Sequence, residues 1–327
     1  MPTSIRHDWQ TEEVLELMQL PLMVLLEKAH TVHREYFNPN KVQLSTILNI
    51  KEGGCPEDCK FCSQSKHYQT LADDTGFLQP DDVLAKAKIA KANGATRFCM
   101  VAAWRQLRDR DMQQVSEMIK AVNNMGMETC MSLGFVNDKQ VQQLEDAGLD
   151  YYNHNLETSR EHYEKVVGTH TFQHRYDTVA RIQQSKIRAC CGGIIGMSEN
   201  KHDRASLLME LANMAEHPPS VPINILVRIE GTPMAENKVL DPMDHLRMVA
   251  TARILMPASF VRLSAGRKEI GEGYQLLCYY AGANSIHYGE NLLTTPGFTV
   301  DEDKELFERA GIEPMQFEDT YVGQAGA

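Results

Sequence analysis

The chain has 327 residues, 43% apolar and 24% charged, with a net charge of −11. That balance describes a globular chain long enough to bury a sizeable core; it excludes a disordered segment and a nucleic-acid backbone as the main partner. No apolar run approaches the ~20 residues of a membrane span and no basic-then-apolar export signal opens the chain, so a cytoplasmic protein is expected.

Residues 1–40 space their apolar positions (Val14, Leu17, Met18, Leu22, Leu25, Leu26) as amphipathic helices do, which predicts an N-terminal helical extension. β-Branched runs then alternate with helical patterns. Strands are predicted at Val42–Ile50, Arg97–Ala103, Glu128–Gly134, Asp150–Glu157, Ile187–Ile195, Ser220–Ile229, Ser259–Gly266 and Ser285–Gly289. Helices are predicted near 80–93, 110–125, 137–147, 171–184, 200–216, 243–256, 272–282 and 301–310. Pro80, Asp81 and Asp82 open the first of these, and Gly94, Gly126 and Gly148 follow the ends of the first three. Eight strand–helix units in series make an α/β chain whose residues 41–312 form a TIM-type (β/α)8 barrel; an open doubly wound sheet is the alternative. No Gly-x-Gly-x-x-Gly follows the first strand, so a dinucleotide site has no support. Residues 313–327 read as a polar, flexible tail.

Between Ile50 and Pro80 lies a connection far longer than the ~2–6 residues usual for a βα loop, and in a barrel it falls on the active-site face. It contains Cys55-Pro56-Glu57-Asp58-Cys59-Lys60-Phe61-Cys62 after Gly53-Gly54. The chain has 8 cysteines and no sign of export, so these are expected as reduced thiols. A structural zinc site would show four Cys or His ligands, and here only His67 stands near as a fourth. Three ligands on a 4Fe–4S cluster leave one iron open. Cys-x3-Cys-x2-Cys with an aromatic before the last cysteine resembles the signature of the radical S-adenosylmethionine (SAM) superfamily. The resemblance implies that Cys55, Cys59 and Cys62 hold the cluster, that SAM chelates the open iron, and that Phe61 flanks adenine. It also implies reductive cleavage of SAM to a 5′-deoxyadenosyl radical, chemistry that belongs to the cofactor.

Alternation along the strands puts Cys99, Cys130, Cys190 and Arg262 in one inward layer, with small or polar Ser132, Gly192, Ser264 and Gly266 nearby. An interior lined this way suits a prosthetic group, although a single buried cysteine is more often a core residue. Buried arginine needs an anionic neighbour, which a thiolate-ligated iron–sulfur cluster would supply. Cys191 points the other way and Cys278 lies on a helix; both read as packing residues. With the segments 151–159 (Tyr-Tyr-Asn-His-Asn-Leu-Glu-Thr-Ser), 261–267 (Val-Arg-Leu-Ser-Ala-Gly-Arg) and 281–286 (Ala-Gly-Ala-Asn-Ser-Ile), the chain resembles the biotin synthase family from about residue 40 to 310. The resemblance implies a 2Fe–2S cluster on Cys99, Cys130, Cys190 and Arg262 that donates sulfur to dethiobiotin. Ser45, Ser220 and Ser285 are expected to hydrogen-bond the guanidinium. The loop alone would suit another barrel-type radical SAM enzyme or a non-catalytic cluster scaffold; the inner layer separates these readings.

Asn153, Asn155 and Glu157 alternate along one predicted strand, and Asn224 stands on another. Amides that both donate and accept suit a ureido ring. By resemblance Asn155 and Glu157 also contact SAM, Glu157 standing where the family usually has aspartate at the ribose. Arg175 is expected at the SAM carboxylate, and Ile194 within Gly192-x-Ile194-x-Gly196-x-x-Glu199 at adenine. Thr294 and Thr295 are expected at the substrate carboxylate, although Thr-Thr-Pro is also a helix-start signal. A reduced flavodoxin-like electron donor and a homodimer are further expectations of the resemblance.

Overall fold

The computed structural model describes residues 5–292 and 294–319. Two helices, α1 (Thr11–Gln19) and α2 (Leu22–Tyr36), precede the barrel, as the apolar spacing predicts. Val14 and Met18 of α1 and Leu25, Leu26 and Ala29 of α2 are buried. The carbonyls at the end of α1 find a donor on the outer helix Pro242–Leu255: Arg247 Nη1 donates to Met18 O at 2.8 Å and to Leu20 O at 2.7 Å.

The barrel strands are β1 (Lys41–Lys51), β2 (Arg97–Ala102), β3 (Glu128–Ser132), β4 (Tyr151–Asn153), β5 (Arg188–Cys190), β6 (Gly193–Ile195), β7 (Ser220–Ile225), β8 (Phe260–Leu263) and β9 (Ser285–His287). All pair in parallel, and β9 pairs back onto β1 with Gln43 opposite Ser285, so the sheet closes. β5 and β6 are two halves of one stave, both pairing with β7. The stave breaks at Cys191–Gly192, where the predicted strand ran through. A Cβ on Gly192 would lie 2.0 Å from Pro222 O, so the neighbouring backbone occupies that space.

Outside lie α3 (Pro80–Ala92), α4 (Met112–Asn123), α5 (Asp138–Asp146), α6 (Tyr163–Val166), α7 (Phe172–Gln183), α8 (Lys201–Ala212), α9 (Pro242–Leu255), α10 (Arg267–Tyr280) and α11 (Val300–Ala310). Asn137, Asn200 and Thr299 each accept the N3 amide of the helix they start, as residues of this type do. Gly94, Gly126 and Gly148 turn the chain out of its helices at φ +99°, +71° and +86°. α10 starts five residues earlier than the spacing predicts and is kinked at Gly271, φ +71°.

The predicted tail differs from the structure over 313–319. There β12 (Glu313–Pro314) pairs with β1, Met315 is buried, and Lys41 Nζ meets Asp319 at 2.9 Å. Two backbone bonds, Glu313 N to Asn40 O at 2.7 Å and Met315 N to Val42 O at 2.9 Å, fasten it. The rest of that prediction, 320–327, lies outside the described residues. No described helix is long and apolar enough to cross a membrane.

The main apolar core fills the space between the staves and the helices, and it includes Cys191 and Cys278 as predicted. Inside the barrel sits a second, separate cluster: Cys99, Cys130, Tyr151 and Cys190, with Ile47 against it. An ordinary barrel fills this space with branched aliphatics.

Candidate functional site

The loop after β1 wraps on itself. Cys55 N donates to Gln64 O (2.9 Å), Lys66 N to Cys55 O (2.8 Å) and Cys62 N to Cys59 O (3.0 Å). Gly53 and Gly54 both take φ +65°, and a Cβ on Gly54 would strike Asp74 Oδ2 at 2.4 Å. The wrap brings Cys55, Cys59, Phe61 and Cys62 to the wall of one cavity of about 320 Å³. Burial pushes the Cys62 thiol up to about 11 and the Cys59 thiol higher still. Iron binding therefore has to displace protons.

Two carboxylates within the cysteine spacing fasten the loop to the turn before α7. Glu57 Oε1 accepts from Arg105 Nη1 at 2.7 Å, and Oε2 meets His170 Nδ1 at 2.5 Å and the Thr169 hydroxyl. Asp58 Oδ1 accepts from Gly168 N and Thr169 N, each at 2.9 Å. Burial opposes ionisation of Glu57, but the His170 and Thr169 hydrogen bonds and the Arg105 charge outweigh it and hold the carboxyl at about 2. His67, the residue nearest to a fourth ligand in the sequence, spends its Nε2 on Pro56 O at 2.9 Å.

Deeper in the barrel, Cys99 and Cys130 are register partners, and Cys190 stands one stave past Tyr151. Cys130 sits in one cluster with both other thiols, and their proximity and burial push it well above the usual thiol value. The neighbouring Cys130 thiol, with the charges of Arg262 and Arg97 and the Ser45 hydroxyl, pulls the Cys99 thiol below its usual value against the cost of burial. Arg262 is 2% exposed; its Nε donates to Ser285 Oγ at 2.9 Å and its Nη2 to Gln43 Oε1 at 3.3 Å. Of the three serines expected on the guanidinium, only Ser285 is there. Ser45 Oγ lies 3.4 Å from Cys99 Sγ and Ser220 Oγ 3.3 Å from Cys190 Sγ, so these two serve the thiols instead. The reason is register: Ser45 is paired with Arg97, next to the Cys99 stave, and Ser220 with Cys190.

The remaining predicted residues form the cavity wall. Asn153, Asn155, Glu157, Arg175, Ile194, Asn224, Thr294 and Thr295 all line it, together with Cys99, Cys130 and Arg262; Cys190 lies beneath, its Sγ 3.2 Å from Asn153 Nδ2. Asn153, Asn155 and Glu157 do not share one strand face as the alternation predicts. β4 ends at Asn153, His154 also lines the cavity, and Glu157 sits at φ +71°. Asn153 is turned inward from the strand itself, whereas Asn155 and Glu157 are turned inward by backbone that has left it. Arg175 is no surface residue: it donates to Tyr163 Oη (2.7 Å) and Asn155 O (2.9 Å), and Nη1 lies 3.3 Å from Glu157 Oε1. Glu157 Oε2 is buried without a hydrogen-bond partner among the described residues, an acceptor open to a ligand donor.

Asn224 clips two backbones, donating to Gly193 O at 3.2 Å and accepting Ala265 N at 3.1 Å, so half its bonding capacity is committed. Glu199 accepts Gly196 N and Met197 N and pairs with Arg204 at 2.7 Å, which makes it a clamp on the turn. Thr294 Oγ1 meets Ser63 Oγ at 2.6 Å, tying this wall to the cysteine loop. Thr295-Pro296 pairs with Asn291-Leu292 as a short hairpin (β11 with β10), and α11 starts later, from Thr299.

All cysteines are free thiols. Among the described residues no three His, Cys, Asp or Glu side chains converge on the point a single metal ion would take. Ligands of a multi-iron cluster bind separate irons and need no such point. The soft donor set, free thiols and a buried guanidinium facing them fit iron–sulfur clusters on both levels.

Residues 51–211 match the Radical SAM superfamily and residues 222–313 the Biotin and Thiamin Synthesis associated domain. The chain is 54% identical to the biotin synthase of Thioalkalivibrio sulfidiphilus, over 97% of this chain and 93% of that one. It is 55% identical to the biotin synthase of Idiomarina loihiensis, over 96% and 91%. The chain belongs to the biotin synthase family. It is a radical SAM enzyme that inserts sulfur in the making of biotin, and a 4Fe–4S cluster and SAM come with that family. In fold it is similar to methylornithine synthase, with TM-score 0.80, 17% identity and 96% of each chain covered. It is equally similar to the FeFe-hydrogenase maturase of Carboxydothermus hydrogenoformans, with TM-score 0.80 and 15% identity over 94% of this chain and 76% of that one.

Proposed function

We propose that the enzyme converts dethiobiotin to biotin between two clusters held at the two levels of the cavity. Cys55, Cys59 and Cys62 hold the 4Fe–4S cluster, and Cys99, Cys130, Cys190 and Arg262 hold a 2Fe–2S cluster as sulfur donor. When bound, the first cluster and SAM supply a radical able to remove hydrogen from unactivated carbon, and the second supplies the sulfur. The protein's own part is to bind, orient and exclude water. Glu157 offers its open carboxylate oxygen to SAM hydroxyls. Asn155, Arg175, Phe61 and Ile194 form the rest of that subsite. Asn153 and Asn155 offer amides to the ureido ring, Asn224 adds the N–H and lone pair left by its backbone contacts, and Thr294 and Thr295 face the carboxylate end.

The observation that carries this reading is the inner cluster: three cysteines from three staves meet around Tyr151, where aliphatic side chains normally pack. Anaerobic iron and sulfide analysis with Mössbauer spectra, on wild type and Cys190→Ala, tests it. Two cluster types in the wild type and loss of only the 2Fe–2S component in the variant support it; one 4Fe–4S cluster indifferent to the substitution refutes it. A reduced flavodoxin-like protein as electron donor, a homodimer and a cytoplasmic setting accompany the reading.

A further inference from the structure

Beneath the thiol layer lies a polar network that no part of the reading above uses. Glu128 and Gln43 are fully buried at its centre. Glu128 Oε2 accepts from Arg97 Nε at 2.9 Å, and Oε1 lies 3.3 Å from Arg188 Nη2. Both arginines stack on Tyr151, at 3.5 Å and 4.2 Å from the ring centroid. A carboxylate with two guanidinium partners locked against one ring is a fixed anion.

Gln43 reads that anion. Its Nε2 donates to Glu128 Oε2 at 3.0 Å; its Oε1 accepts from Ser285 Oγ at 3.0 Å and from Arg262 Nη2 at 3.3 Å. A carboxylate only accepts and a guanidinium only donates, so the amide has one orientation that satisfies both ends. Reversed, it would set oxygen against oxygen and NH2 against guanidinium. Arg262 thereby has Nη2 committed to Gln43 and Nε to Ser285. Arg262 lines the cavity, and Nη1 is the guanidinium nitrogen that neither Gln43 nor Ser285 engages.

We propose that Gln43 is a positioning residue for Arg262: it transmits the fixed orientation of Glu128 through its amide and so selects the guanidinium nitrogen presented to the inner cluster site. The inference rests on the proposed 2Fe–2S site. Two variants separate positioning from mere support. Gln43→Met keeps the volume and removes both polar ends. Gln43→Glu keeps acceptors for Arg262 and Ser285 but sets a second carboxylate against Glu128.

Each variant is reconstituted anaerobically beside wild type. Retention of the 2Fe–2S absorption and Mössbauer signals under a chelator is measured, with the 4Fe–4S signal and the melting temperature read on the same samples. Positioning predicts that Gln43→Met loses 2Fe–2S retention roughly 10- to 100-fold, the usual effect of losing an outer partner of a metal ligand. Gln43→Glu then melts at lower temperature yet retains the cluster better than Gln43→Met, and the 4Fe–4S signal is unchanged in both. Retention that follows melting temperature, with Gln43→Glu the worse, overturns the proposal, as does wild-type retention in Gln43→Met. Should Gln43→Met not accumulate folded, the ordering is read between Gln43→Glu and Ser285→Ala, which frees Nε; better retention in the serine variant then overturns the proposal. A wild type without any 2Fe–2S signal refutes the two-cluster reading instead, so the two failures are distinct.

Discussion

Replacing Glu157 by glutamine tests the SAM subsite through a separation of binding from stability. The carboxylate is buried, with one oxygen 3.3 Å from Arg175 Nη1 and the other without a hydrogen-bond partner among the described residues. Burial raises its pKa, against the pull of Arg175 and Asn155. The folded protein alone therefore gains little from the charge, and a neutral amide of the same shape removes that cost. Arg175 keeps Tyr163 Oη and Asn155 O as acceptors. The ligand loses more: hydroxyls that would donate to a carboxylate meet an amide with one acceptor and an NH2 group. A hydrogen bond to a charged group contributes ~1.5–3 kcal/mol, so SAM binding should weaken about 10- to 150-fold. Equilibrium dialysis of SAM against anaerobically reconstituted protein measures this, with thermal melting on the same samples. The expected result is weak SAM binding at an unchanged or higher melting temperature. SAM binding equal to wild type would refute the placement of Glu157 in the subsite; a large fall in melting temperature would refute the electrostatic reasoning.

Adjacent cysteines should behave oppositely. Cys191→Ala costs about 1 kcal/mol of packing and leaves iron content unchanged, whereas Cys190→Ala removes the 2Fe–2S component; iron analysis with melting curves checks both. Gly192→Ala brings a methyl within 2.0 Å of Pro222 O and disturbs the amide that donates to Asn155 Oδ1 at 3.1 Å. Its expected cost is about 3 kcal/mol, measured as lost soluble yield and a lower melting temperature, with SAM affinity reduced in what folds. Burial lowers His245 to about 4 and His33 to about 2, so both are neutral in the folded state. The unfolded chain protonates them below ~6.5, so stability falls as pH drops through that value toward 4, by up to ~1.4 kcal/mol per pH unit for each. Urea midpoints measured from about pH 7 to pH 5 should show a shallower decline in His245→Gln than in wild type; equal slopes would contradict the assignment.

The barrel and the two cysteine sets were legible because each rests on local regularities. Eight alternations give closure, the cysteine spacing gives a three-ligand loop, and period-two alternation lines up Cys99, Cys130 and Cys190. What stayed hidden depends on neighbours that the sequence does not name. Alternation predicts that Ser45 and Ser220 face inward, but only register decides that they meet thiols and not Arg262. Glu157 adopts a left-handed backbone and β4 stops early, because Leu156 N and Glu157 N turn to Gly192 O across the broken stave. The Glu57–His170 fastening spans 113 residues and leaves no local trace. The buried network had a readable sign: Arg97, Glu128 and Arg188 each stand two residues before an inner cysteine, on the same strand face. The docked segment 313–319 was hidden by its polar composition, since one buried methionine, two backbone bonds and the Lys41–Asp319 ion pair fasten it.

The proposed source of the product's sulfur is the cluster on Cys99, Cys130, Cys190 and Arg262. The most direct measurement loads that cluster with isotopically labelled sulfide, runs a single turnover with dethiobiotin and SAM in unlabelled buffer, and weighs the biotin by mass spectrometry. Labelled biotin, formed as the 2Fe–2S signal falls, is the predicted result. Unlabelled biotin in the presence of an intact labelled cluster would contradict the account.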